Sequence, residues 1–275
     1  MNRRDLFKTL GIAGAAYSAT GTIPASVSAG THGKQNTVHS MEGYGVPAGA
    51  PQHIVMLAYP QMTLLDLVGP QQIFSLLGNI RLHVVWKSKE LITTDSGMIV
   101  QPTTTFASCP ANPLAVFVPG GSLGTLAVMN DSVVLKFLAE QGAAAKYVTS
   151  VCTGSMVLAA AGLLHGYRAT SHWTVRDQLA DFGAIPINAR VVEDRNRITG
   201  AGVTAGLDFA LRLTSRIRSE KMAQAIQLAY EYDPQPPFHA GSPATAPAEI
   251  TEMERAMYAP VVMGMKAAAK RSARK

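Results

Sequence analysis

From His53 onward the chain alternates short apolar runs with longer stretches whose apolar positions recur every three or four residues. Ile54–Tyr59, Leu82–Trp86, Ala115–Val118 and Tyr147–Val151 are rich in β-branched and aromatic residues and almost free of charge. That is the pattern of strands buried on both faces. Helical periodicity falls between and after them: near Val68–Leu77, at Ser132–Ala144, from the Thr204–Phe209 segment to about Arg216, and from Ser219-Glu220 to about Tyr230. Short pieces at Leu91–Thr94, Met98–Gln101, Arg190–Val192 and Arg197–Thr199 read as hairpin or edge strands.

Strands alternating with helices predict parallel βαβ units covered by helices on each face. The expected fold is α/β, a three-layer α/β/α flavodoxin-like sandwich with a mostly parallel sheet. No internal repeat is visible. A hydrophobic content of 47% over 275 residues is ample for one such core. The predicted division is a leader at 1–29, a Gly-, Ser-, His- and Pro-containing linker at 30–51, the α/β domain at 52–218, and a C-terminal helical extension with a basic tail at 219–275.

The leader has the form of a twin-arginine export signal. Arg3-Arg4 precede Leu6-Phe7-Lys8, a short apolar run follows, and Val27-Ser28-Ala29 supplies small residues at a cleavage position. The expectation is a periplasmic protein that meets a membrane only through the export machinery. The leader carries three basic side chains and one acidic, and the last ten residues carry five basic ones, so the overall charge of +6 leaves the body one charge negative. Such a body has no basic footprint for nucleic acid. Cys109 and Cys152, the two cysteines, are too few for a disulfide framework.

Three segments fall where strands end, the edge at which open α/β sheets hold ligands. Tyr147–Val151 stops at Cys152-Thr153-Gly154 and an alanine-rich helix, the form of a nucleophile elbow. A helix terminus behind Cys152 would favour thiolate; a buried structural cysteine is the plain alternative. Asp66, in Leu64-Leu65-Asp66-Leu67-Val68-Gly69-Pro70, suits either a helix N-cap or a desolvated carboxyl that trades protons at neutral pH. Gly120 and Gly121, closing the Ala115–Val118 strand, suit a tight turn or backbone N–H groups aimed at a ligand. Thr153 offers an N–H and a hydroxyl that would serve the site or cap its helix. His172, before Trp173, is either a base for the cysteine or a structural hydrogen-bonder. No metal-ligand spacing and no nucleotide fingerprint occurs, so no cofactor is expected.

The Pro-Gly-Gly turn, Ser-Val-Cys-Thr-Gly at the elbow and Arg-Ala-Thr-Ser-His-Trp after it resemble the ThiJ/PfpI superfamily of class I glutamine amidotransferase-like domains. The late Pro236-Pro237-Phe238-His239-Ala240-Gly241-Ser242-Pro243 resembles its isonitrile hydratase branch. Much of the superfamily has a glutamate after the first strand and a histidine after the cysteine. Asp66 and Thr153 stand there instead, which weakens protease and deglycase readings. Amidase-like domains of AraC-type regulators share the elbow but carry a further helix-turn-helix region, and only 57 residues follow Arg218 here.

The resemblance implies a hydro-lyase that turns an isonitrile into an N-substituted formamide. Cys152 would be the nucleophile and Asp66 the general acid/base, with Thr153, Gly121 and Gly120 around developing charge and His172 behind them. It also implies a homodimer. The alternatives are a non-catalytic redox or small-molecule sensor, or a hydrolase of another electrophile.

Overall fold

The computed structural model describes residues 43–272. The leader and most of the linker lie outside the described residues. The chain runs β1 (Gln52–Leu57), α1 (Leu64–Phe74), β2 (Ile80–Trp86), β3 (Ile92–Thr93), β4 (Ile99–Val100), β5 (Thr104–Thr105) and β6 (Ala115–Val118). It continues through α2 (Ser122–Met129), α3 (Ser132–Ala144), β7 (Tyr147–Val151), α4 (Gly154–Ala160), β8 (Arg168–Ala169) and β9 (Ile185–Pro186), with a 3-10 segment at Arg176–Phe182. It closes with β10 (Val191–Asp194), β11 (Arg197–Gly200), α5 (Ala205–Ile217), α6 (Glu220–Ala229) and α7 (Ala248–Ser272).

Seven strands form one sheet in the order β10-β11-β7-β6-β1-β2-β5, parallel throughout except that β10 runs against β11. The three-layer α/β/α architecture is therefore the observed one. α1, α5 and α6 pack on one face; α2, α3, α4 and α7 cover the other. The fully apolar runs lie centrally: Ile54–Leu57 and Ala115–Val118 are entirely buried. Phe74 of α1, Phe117 of β6 and Phe209 of α5 form an aromatic cluster with centroids 5.5 to 6.4 Å apart. Each such buried ring contributes about 2–3 kcal/mol by burial, so the cluster fixes α1 and α5 against the sheet.

One helix differs from its predicted start and another was not predicted. α1 starts at Leu64 rather than Val68, because Asp95 Oδ1 on the β3–β4 hairpin accepts the Leu64 N–H at 3.2 Å. α2 was not anticipated at all. The extension after Arg218 packs onto the domain: Met222 and Ile226 of α6, and Val261, Met265 and Ala268 of α7, join the core. Among the described residues no single helix is long and apolar enough to cross a membrane.

Candidate active site

β7 lies between β6 and β11, with Val118 opposite Ser150 and Gly200 opposite Val151. This register sets Cys152 at the C-terminal edge, between the Pro119-Gly120-Gly121 turn and the end of β11. Cys152 has φ 57°, a left-handed conformation that costs a side-chain-bearing residue about 1–2 kcal/mol. The strained turn is tied down on both sides. Its N–H donates to Gly200 O at 3.1 Å, and its carbonyl accepts from Ser171 Oγ at 3.0 Å and Ser155 Oγ at 3.3 Å. Gly154 is required next: a Cβ there would collide with Val118 O.

Asp66 reaches the cysteine from α1. It is not the N-cap, a position held by Thr63; it is the third residue of the helix and fully buried. Oδ2 accepts the Gly120 N–H at 2.9 Å, while Oδ1 is buried with no well-formed hydrogen bond. Burial pushes the carboxyl up to about 7; the Gly120 N–H and the neighbouring Cys152 thiol pull it down, and the charge of Asp95 adds to the rise. Gly120 allows this approach, since a Cβ there would stand 2.8 Å from both Asp66 Oδ2 and Cys152 Cβ.

The thiol differs from the expectation of a ready thiolate. Burial raises Cys152 well above the ordinary cysteine range and the Asp66 charge raises it further, against the Thr153 N–H and hydroxyl, which favour the charged form. Desolvation therefore favours the thiol form of Cys152, beside a carboxyl pushed up to about 7.

Thr153 does not cap α4 through its side chain. Its Oγ1 takes the Gly121 N–H at 3.0 Å and lies 2.7 Å from Thr125 Oγ1 of α2. Gly120 and Gly121, read as ligand-facing donors, therefore spend their N–H groups inside the protein, on Asp66 and Thr153. Gly121 is also forced by its backbone, at φ 150° with a would-be Cβ 2.5 Å from Met62 Cα.

The DJ-1/PfpI family pattern matches residues 52–216, spanning Asp66, Gly120, Cys152 and His172. The chain belongs to the DJ-1/PfpI family. Among its relatives, the isonitrile hydratase of Pseudomonas putida is 47% identical over 207 residues, 75% of this chain and 90% of that protein. A crystal structure of a ThiJ/PfpI family protein from Pseudomonas syringae, also 47% identical, superposes with a TM-score of 0.81 over 87% of this chain and 97% of that one. The transcriptional regulator GbdR of Pseudomonas aeruginosa is 28% identical over 66% of this chain and only 51% of its own length.

Within this DJ-1/PfpI site His172 stands apart. Nδ1 pairs with Thr174 Oγ1 at 2.8 Å, the ring stacks on Tyr258 of α7 at 5.4 Å, and burial lowers its basicity to a pKa of about 4. It anchors the C-terminal helix to the elbow's neighbourhood, aided by Arg255 over Trp173. Its neighbour Ser171 is what reaches the elbow.

Ser171, Ser155, Tyr59 and Thr125 also serve the site. Ser171 sits within the Arg-Ala-Thr-Ser-His-Trp segment and Ser155 directly follows the elbow motif, whereas nothing local marks Thr125. Cys109 is half-buried, its pKa raised by burial to about 11. Among the described residues no group of three or more His, Cys, Asp or Glu is arranged to hold a metal ion.

Proposed function

We propose that the protein adds water to an isonitrile, R–N≡C, giving the N-substituted formamide, with Cys152 as nucleophile and Asp66 as proton carrier. The observation carrying this reading is the buried Asp66 carboxyl, poised near neutrality and held by the Gly120 N–H beside the Cys152 thiol. A relative 47% identical that is an isonitrile hydratase supports the substrate class.

Asp66 as carboxylate takes the thiol proton while sulfur attacks the terminal isonitrile carbon. It then delivers that proton to the same carbon, giving the thioimidate R–N=CH–S–Cys152. In the second half Asp66 takes a proton from water as the water oxygen adds to the imidate carbon, and passes that proton to the nitrogen. Collapse breaks the C–S bond while the hydroxyl proton passes through Asp66 to sulfur, releasing R–NH–CHO and restoring both the thiol and the carboxylate. A carboxyl near pKa 7 serves both directions of transfer at neutral pH. The Thr153 N–H and hydroxyl steady the sulfur whenever it carries charge.

The reading extends to a homodimer exported by the twin-arginine pathway and working in the periplasm without a cofactor. Leu65, beside Asp66, is exposed and lines an apolar groove of about 270 Å³ between α1, α5 and α6, and Leu91, Met98 and Ile99 at the β3–β4 hairpin are exposed as well. Such a surface suits a second copy. Light scattering and cell fractionation test these two points.

The activity test is formation of N-cyclohexylformamide from cyclohexyl isocyanide by the purified protein under reducing conditions, beside Cys152→Ala. Cysteine-dependent product supports the hydratase. No product, with Cys152 still alkylatable, favours a sensor or another electrophile.

A further inference from the structure

Behind Thr153 lies a chain of buried hydroxyls that the proposed mechanism does not use. Tyr59, at the end of β1, and Thr125, on α2, are both fully buried. Tyr59 Oη donates to Pro119 O at 2.7 Å and lies 3.1 Å from Thr125 Oγ1. Thr125 Oγ1 in turn lies 2.7 Å from Thr153 Oγ1, which also accepts the Gly121 N–H at 3.0 Å.

Counting donors and lone pairs gives the chain a direction. A hydroxyl has one proton and two acceptor sites. The proton of Tyr59 is committed to Pro119 O, so toward Thr125 the tyrosine oxygen acts only as an acceptor. The Thr125 proton then has two acceptors, Tyr59 Oη at 3.1 Å and Thr153 Oγ1 at 2.7 Å, and the nearer is Thr153. With the Gly121 N–H and the Thr125 O–H both directed at it, Thr153 Oγ1 has its acceptor sites filled. Its own proton is left for the neighbouring sulfur, where the Thr153 side chain favours the charged form.

We propose that Thr125 is a positioning residue: its hydroxyl, packed against Thr153, fixes the Thr153 O–H toward the Cys152 sulfur and so makes the thiolate easier to form. Donation from Thr125 also polarises the Thr153 hydroxyl, because successive hydrogen bonds in a dry site strengthen one another. Thr125 touches neither the sulfur nor a substrate in this arrangement and acts through Thr153. The inference rests on Cys152 being the reacting group, not on which electrophile it attacks. The titratable groups facing the thiol are Asp66 from α1 and Tyr59 from the end of β1, and both are retained in the principal test.

The test is the pH dependence of Cys152 alkylation by iodoacetamide in the full-length protein, read by mass spectrometry on the peptide containing Cys152, with folding followed by circular dichroism. Thr125→Val is expected to move the midpoint upward by about half a pH unit, and Thr125→Ser to restore it. A folded Thr125→Val protein with an unchanged or lower midpoint would overturn the proposal. Tyr59→Phe gives an independent arm should valine at 125 unfold the chain: with Thr125 already donating to Thr153, removing the competing acceptor is expected to leave the midpoint unchanged. A clear fall there would mean that Thr125 donates to Tyr59 in the parent and turns to Thr153 only once that acceptor is gone, and the assigned direction would be wrong. Alkylation needs no isonitrile, so absence of formamide would count against the hydratase reading while leaving this result standing.

Discussion

Asp66, fully buried, and His172, half-buried, are two titratable groups near the same cysteine, and desolvation acts on them in opposite senses. Desolvation pushes the Asp66 carboxyl up to about 7 and the His172 imidazole down to about 4. Both are thereby held toward neutrality, but only one is left useful. Asp66 titrates at working pH, with one oxygen fixed by Gly120 and the other free of a well-formed bond. His172 stays unprotonated, bonded to Thr174 and stacked on Tyr258. A histidine near a cysteine is thus no evidence of a Cys-His pair unless its nitrogen faces the sulfur.

The sharpest way to break this contrast is to neutralise each group. Asp66→Asn is expected to lower turnover of an isonitrile about 100-fold or more, and His172→Gln by less than about tenfold, both from steady-state rates on folded protein. The reverse ranking would make His172 the proton carrier. Gly120→Ala comes next. Its methyl group would press on Asp66 Oδ2, Cys152 Cβ and the Thr153 nitrogen, so a loss of about tenfold or more in kcat is expected from a misplaced carboxyl.

Stability sharpens the comparison further, because the two groups bend the pH profile in opposite directions. A folded Asp66 keeps a proton that the unfolded chain releases, so its contribution falls as pH rises from about 4 to about 7. A folded His172 refuses a proton that the unfolded chain binds, so stability falls as pH drops from about 6.5 to about 4. Denaturant unfolding across this range should show Asp66→Asn removing the first loss, on the order of 4 kcal/mol, and His172→Gln the second, roughly 3 kcal/mol. A variant that leaves its branch of the profile unchanged would remove that residue's assigned burial effect.

The same two regions show what was legible in the chain. Buried strands were plain, since uncharged β-branched runs suit a sheet covered on both faces. The elbow was plain too, because a strand ending at Cys-Thr-Gly places a side chain at the sheet edge. The start of α1 was not legible: Thr63 makes no side-chain cap, and the donor-satisfying carboxylate comes from Asp95, distant in sequence. That shift is what turns Asp66 from a cap into a buried acid. The roles of Gly120 and Gly121 depend on tertiary partners, and α2, with Thr125, carries no sequence mark of its place behind Thr153.

The proposed hydration turns on a covalent bond between Cys152 and the isonitrile carbon. Rapid acid quenching of the protein mixed with cyclohexyl isocyanide, followed by mass spectrometry, reads that bond. The expected result is a transient mass increase equal to one isonitrile on the peptide containing Cys152, formed and lost on the timescale of formamide release. Formamide produced with Cys152 unmodified at every time point would contradict it.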